Sequence, residues 1–121
     1  MYSNRPISVN TLINPNAPQS LAKSGVFTSQ AVDLRQIAQD GIFSIQYTYT
    51  GDGVITWTYS MCSTKAGTYF TPSGAENIAT STTAGTDGLT FEPEMFPFMK
   101  IVGTETGTNT AIISELYLNI Q

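Results

Sequence analysis

The chain has 121 residues, 40% of them hydrophobic, so it is long enough for one domain with its own core and too apolar for disorder. Charged residues make up only 12%, half the usual ~25%, with Thr, Ser, Asn and Gln in their place, and the net charge is −4. Five scattered basic residues (Arg5, Lys23, Arg35, Lys65, Lys100) form no patch for nucleic acid, no apolar run reaches the ~18 residues of a membrane helix, and the single cysteine, Cys62, admits no internal disulfide.

The opening MYSNRPISVN lacks the apolar stretch of a secretory signal, and none is expected there. Residues 1–23 hold Pro6, Pro15 and Pro18 and the turn-rich NPNAP, which break any helix. ISVNTLI (7–13) has the composition of a short strand. The expected organisation is an extended N-terminal arm over residues 1–23 and a β-sandwich domain over residues 24–121. The arm either packs on a neighbouring subunit, or is an ordinary first strand or a frayed terminus.

GVFTSQAVDL (25–34) reads as one strand, and RQIAQDG (35–41) as a helical turn or a loop. FSIQYTYTGDGVITWTYSMC (43–62) alternates apolar and polar residues on both sides of GDG, the pattern of a β-hairpin. A three-residue loop, 51–53, with Gly53 in the left-handed region, opposes Phe43 to Met61, Ile45 to Tyr59, Tyr47 to Trp57 and Tyr49 to Ile55. The other face then pairs Ser44 with Ser60, Gln46 with Thr58 and Thr48 with Thr56. A two-residue loop would set Tyr47 against Thr56 and place polar groups on the buried face. The rings are therefore expected in the core, the competing reading being a sugar-stacking platform of Tyr47, Trp57 and Tyr59.

AENIATSTT (75–83) is a weaker strand, AGTDG (84–88) a turn, and MFPFMKIVG (95–103) a strand with Pro97 at its start or at an edge. TETGTN (104–109) reads as a loop. TAIISELYLNI (110–120) reads as a strand with Ile112, Leu116, Leu118 and Ile120 on one face and Glu115, Tyr117 and Asn119 on the other. Short strands punctuated by Gly, Asn and Pro predict an all-β fold, an antiparallel β-sandwich of jelly-roll type.

Residues that could carry chemistry are few. With no histidine there is no His-based triad, Cys–His pair or ordinary zinc site. Cys62 has no basic neighbour in sequence and reads as an inert thiol. Asp52 suits a turn, and one carboxylate falls short of the six to eight oxygens of calcium; Asp87 is the other turn aspartate. Glu92 and Glu94, around Pro93, read as a solvated pair in preference to a glycosidase pair. The glycines of AGTDG and GTETG lack the lysine and helix of a phosphate loop. No catalytic, cofactor-binding or metal-binding residue is assigned, no cofactor is expected, and the chain reads as a non-enzyme. Ser44, Thr48, Thr56, Thr58 and Ser60 form a neutral outer ladder, which suits packing in an assembly.

SQAVDLRQI (29–37), GIFSIQYTYTG (41–51), SMCSTKAGTYFTP (60–72) and MKIVGTETGTNTAIISELYLNI (99–120) together resemble the small β-sandwich structural proteins of tailed bacteriophages, which decorate or cement capsids or sit in tails and fibres. Family members often carry S-x-D-G after the second strand of the motif, where this chain has Cys62, Ser63, Thr64 and Lys65. The resemblance implies assembly, with a virion location and contact with other virion proteins such as the major capsid protein; the low charge and the proline-bearing front segment point to a homo-oligomer (dimer or trimer), and neither nucleic acid nor membrane is expected as a partner. The alternative is a carbohydrate-binding module or host-adhesion domain of a tail or fibre.

Overall fold

The computed structural model describes residues 8–35, 41–75 and 77–121. Their order is β1 (Ser8–Ile13), β2 (Gln19–Leu21), β3 (Val26–Thr28), β4 (Val32–Asp33), β5 (Phe43–Gly51), β6 (Ile55–Cys62), β7 (Ala79–Ser81), β8 (Gly85–Phe91), β9 (Phe98–Glu105) and β10 (Ala111–Ile120). The fold is an antiparallel β-sandwich. One sheet runs β1-β10-β5-β8, with β2 also on β10; the other runs β3-β9-β6-β7, with β4 also on β9. Ten strands fill eight positions, because β1 with β2 and β3 with β4 each share one. Numbered by position, the sheets read 1-8-3-6 and 2-7-4-5, the order of a jelly roll.

The expected hairpin is not formed. β5 pairs with β10 and β8 in the first sheet, while β6 pairs with β9 and β7 in the second. The segment after Gly51 therefore carries the chain from one sheet to the other. The alternation is nonetheless obeyed: Phe43, Ile45, Tyr47, Tyr49, Ile55, Trp57, Tyr59 and Met61 are all buried. Tyr47 and Trp57 face each other across the core, ring centroids 5.0 Å apart, not along a ladder. A flat hairpin would leave both apolar faces on one side, still needing a cover. Folding β6 over β5 lets each face cover the other. The left-handed residue is Gly51 (φ +100°), not Gly53. A Cβ at Gly51 would fall 2.5 Å from the Thr110 carbonyl oxygen, so only glycine fits.

Other boundaries differ for identifiable reasons. The expected 25–34 strand is broken at Ser29, whose hydroxyl takes the Ile101 N–H (2.9 Å) and donates to the Gln30 carbonyl (2.9 Å), so β3 and β4 pair with β9 separately. AGTDG is not a turn, because Gly85–Phe91 is an edge strand paired with β5, and an edge tolerates glycine. β9 runs on to Glu105, so the loop is shorter than TETGTN. In β10 the register shifts between Ile113 and Glu115. Ile113 and Leu116 both point inward and Ile112 is turned out, 40% exposed, against the expected face. From Ser8 to Leu21 the stretch expected as an arm pairs with β10 of its own chain. Ile7 and the possible helical turn at 36–40 lie outside the described residues.

Three features tie the sheets together. Trp57, fully buried, packs across the core on Tyr47 and has room for its indole because its ladder partner is Gly103, where a Cβ would fall 2.8 Å from the ring. The Tyr49 hydroxyl donates to the Ser81 carbonyl at 3.0 Å, joining β5 to β7. Glu105, 1% exposed, accepts the N–H groups of Val54 (2.7 Å) and Gly107 (3.1 Å) on Oε2, while Thr106 N–H donates to the Val54 carbonyl. That carboxylate joins the β5–β6 and β9–β10 loops.

Trp57→Ala is expected to lower stability by about 3–5 kcal/mol in denaturant unfolding, the range for deleting a large core ring. Trp57→Phe is expected to cost well under half of that. It keeps a ring and removes an indole N–H that has no acceptor among the described residues. Glu105→Ala, which strips two backbone donors of a charged acceptor, is expected to cost about 2–4 kcal/mol, and Glu105→Gln, which keeps an acceptor, measurably less.

Candidate functional site

The neutral ladder read from the sequence is divided between opposite surfaces. Ser44, Gln46 and Thr48 stand on the outer face of the first sheet, and Thr56, Thr58 and Ser60 on that of the second, following the alternation of β5 and β6. Cross-strand register completes the first face. Asn119 pairs with Val9 and Ser44, Tyr117 with Thr11 and Gln46, and Glu115 with Thr48. Thr90, Gly88 and Thr86 extend these rows onto β8.

The rows are hydrogen-bonded to one another. Asn119 Nδ2 donates to Ser44 Oγ at 3.2 Å. The hydroxyls of Thr48 and Thr86 lie 2.7 Å apart, and Thr48 donates to Glu115 Oε2 at 3.4 Å. Glu115 is the one charged side chain in these rows. The other sheet is different. Lys100 Nζ sits 4.2 Å from the Tyr69 ring centroid, and the Arg35 guanidinium 5.1 Å from that of Phe98.

At its β8 side the first face dips into a groove of about 800 Å³, lined by Ser44, Ile45 and Gln46 of β5, Thr86, Asp87, Gly88, Leu89 and Thr90 of β8, and Asn119 of β10. The dip has a local cause. Gly88 lies opposite Gln46, and a Cβ there would fall 2.7 Å from the Ile45 carbonyl oxygen, so the position holds glycine and no side chain fills the row. Gly88 N–H is taken by its neighbour's carboxylate, Asp87 Oδ1, at 2.8 Å.

The other residues singled out in the sequence stay apart from this groove, apart from Asp87. Asp52 is exposed in the β5–β6 connection. Cys62 is buried, its sulfur 3.8 Å from Thr64 Oγ1. Glu92 and Glu94 are exposed beside a second cleft of about 360 Å³ that also involves Tyr59 and Asn77. There Glu94 N–H donates to the Tyr59 hydroxyl oxygen at 3.0 Å. Tyr47, Trp57 and Tyr59 are core residues and offer no platform to a sugar. Among the described residues no three His, Cys, Asp or Glu side chains come together.

No protein-family model matches the chain, and no curated protein matches it in sequence.

The exposed pair Asp33–Arg35 marks the edge of the second sheet. The Arg35 guanidinium donates through Nε (3.0 Å) and Nη2 (2.7 Å), the Arg35 N–H adds a third bond (3.0 Å), and together they hold the Asp33 carboxyl at about 2 instead of 3.8. A lowered pKa means the pair is intact above the ordinary carboxylate range and is lost as pH falls through about 2. Both side chains are exposed, so its effect on stability is small. An NMR titration is expected to place the Asp33 midpoint near 2 and to return it toward the ordinary range in Arg35→Ala.

Proposed function

We propose that this protein is a non-enzymatic structural protein of a tailed-bacteriophage virion. In this reading it attaches to a preassembled capsid or tail surface, as a decoration or cement subunit, and stabilises the particle. The observation that carries the reading is the pairing of a jelly-roll strand order with outer faces of hydroxyl and amide side chains. Jelly rolls serve as capsid domains as well as lectins, so the fold alone leaves function open. The likeness of segments 29–37, 41–51, 60–72 and 99–120 to phage structural proteins directs the choice.

The subunit works as a closed dimer or trimer against the major capsid protein or another virion protein. Closure satisfies exposed surfaces without fibre growth. Contacts repeated by particle symmetry raise the effective concentration, so a weak single contact suffices. With few charges to screen, attachment depends little on salt; an electrostatic contact would fade over about 8–10 Å at 0.1–0.15 M.

Particles assembled without the protein are expected to lose resistance to heat or osmotic shock, and to regain it when purified protein is added back, equally at low and moderate salt. Failure of the protein to bind such particles would overturn the assignment. Light scattering of the free protein is expected to give a discrete dimer or trimer; a monomer at high concentration would remove the oligomer from it.

A further inference from the structure

We propose that the groove over Gly88 on the first sheet binds a neutral oligosaccharide. This goes beyond the assembly role and does not rest on it.

Size comes first. At about 800 Å³ the groove falls in the range of small-ligand sites, roughly 300–1,000 Å³, and its open form suits a chain of sugar rings lying along the surface. Its walls are the second point. A pyranose presents adjacent hydroxyls, each both donor and acceptor. A carboxamide offers a carbonyl oxygen and an NH2 side by side, and so meets two neighbouring hydroxyls at once. Two carboxamides, Gln46 and Asn119, stand on this face, with the hydroxyls of Ser44, Thr86 and Thr90 between and beside them. Gln46 is exposed and its amide has no hydrogen-bond partner among the described residues. Asn119 spends one N–H on Ser44 and keeps its carbonyl oxygen and second N–H.

An apolar surface is also present. Leu89, an exposed apolar side chain, is among the lining residues, and Tyr117, the register partner of Gln46, stands half-buried next to the groove on the same outer face. A phenol ring there gives the C–H face of a sugar an apolar body to lie against and a hydroxyl at its tip.

Charge narrows the ligand. No lysine or arginine lines the groove, while Asp87 is one of its lining residues and Glu115 is on the adjoining row. Sulfated, phosphorylated or sialylated chains would meet only carboxylates, so the ligand is uncharged. The edge of β8 also disfavours an added polypeptide strand. In the middle of that edge the Gly88 N–H is already held by Asp87, and an incoming strand would have to displace the carboxylate.

The test is an array of neutral, sulfated and sialylated oligosaccharides probed with the intact protein. Titration calorimetry follows, with linear oligomers of glucose, galactose, mannose and N-acetylglucosamine. Binding confined to neutral chains is expected. Gln46→Ala and Tyr117→Ala are each expected to weaken it about ten-fold, the loss of one good polar or stacking contact. Tyr117→Phe should keep most of it, and Thr28→Ala, exposed on the opposite sheet, should leave it unchanged. Thermal melts and near-ultraviolet dichroism confirm that the variants fold. No binding to any neutral chain, binding to acidic chains only, binding indifferent to Gln46 and Tyr117, or capture of extended peptides in their place would each overturn the proposal. Add-back to particles with Gln46→Ala separates the two functions. Loss of glycan binding with particle attachment retained supports distinct surfaces, and failure of attachment by the unsubstituted protein counts against the assembly role alone.

Discussion

The contact on which the rest of the molecule depends is that of Tyr47 with Trp57, two rings 5.0 Å apart that belong to different sheets. β5 and β6 follow one another in sequence and both bury every second residue. Two such strands can lie side by side or one over the other. Lying side by side they gain a ladder but leave eight large apolar side chains on a single open face. Lying one over the other they give up mutual backbone pairing and gain burial on both. Each fully buried ring or branched chain is worth about 1.5–3 kcal/mol, whereas a cross-strand pair adds only about 0.2–1. The backbone groups released are satisfied elsewhere, by β10 and β8 on one side and β9 and β7 on the other. Once β5 and β6 are in separate sheets, β7 stays beside β6, and β8 returns to β5. The remaining strands fill the jelly-roll order.

The alternation of Phe43–Tyr49 and Ile55–Met61 could be read directly from the sequence, and the core it announces is the core observed. What could not be read was the partner of each strand. Period-two patterning states which side chains share a face; it does not state whether the face opposite is in the same sheet. Of the residues expected to oppose one another as hairpin rows, Tyr47 and Trp57 do meet, but across the core between two sheets and not along a ladder. The glycines misled for a related reason. AGTDG has turn composition, yet at a sheet edge glycine needs no burial partner, and β8 holds two of them.

The groove was illegible for the same physical cause. Its residues come from β5, β8 and β10, separated by tens of positions, and only the register of two long-range ladders sets Gly88 beside Gln46 and Gln46 beside Tyr117. A local signal existed in the sparse charge and the Thr, Ser, Asn and Gln that replace it, but it pointed to neutral surfaces without saying that there are two. The sequence also offered rings as the sugar-facing group. Those rings are interior, and the ring on the outer face is Tyr117, which belongs to the polar side of the last strand.

β5 therefore carries two duties on alternate residues: Ile45 and Tyr47 in the core, Ser44, Gln46 and Thr48 on the outer face. β10 must match it along its whole length, and a strictly alternating β10 would not. Its N-terminal half places Ala111 and Ile113 inward, on odd numbers, and its C-terminal half places Leu116, Leu118 and Ile120 inward, on even ones. The extra residue between Ile113 and Glu115 changes the phase, and Ser114, half-buried, donates to the Thr48 carbonyl at 3.3 Å at that point. Without the shift, an inward Ile113 would put Leu116, Leu118 and Ile120 in water and Tyr117 and Asn119 in the core. The bulge is thus what allows one strand to finish the hydrophobic interior, to supply Asn119 to the groove and to set Tyr117 on the outer face beside Gln46. Because the two sets point in opposite directions from a shared backbone, outer-face substitutions leave the core packing untouched, and the side chains of this face are free to vary without loss of the fold.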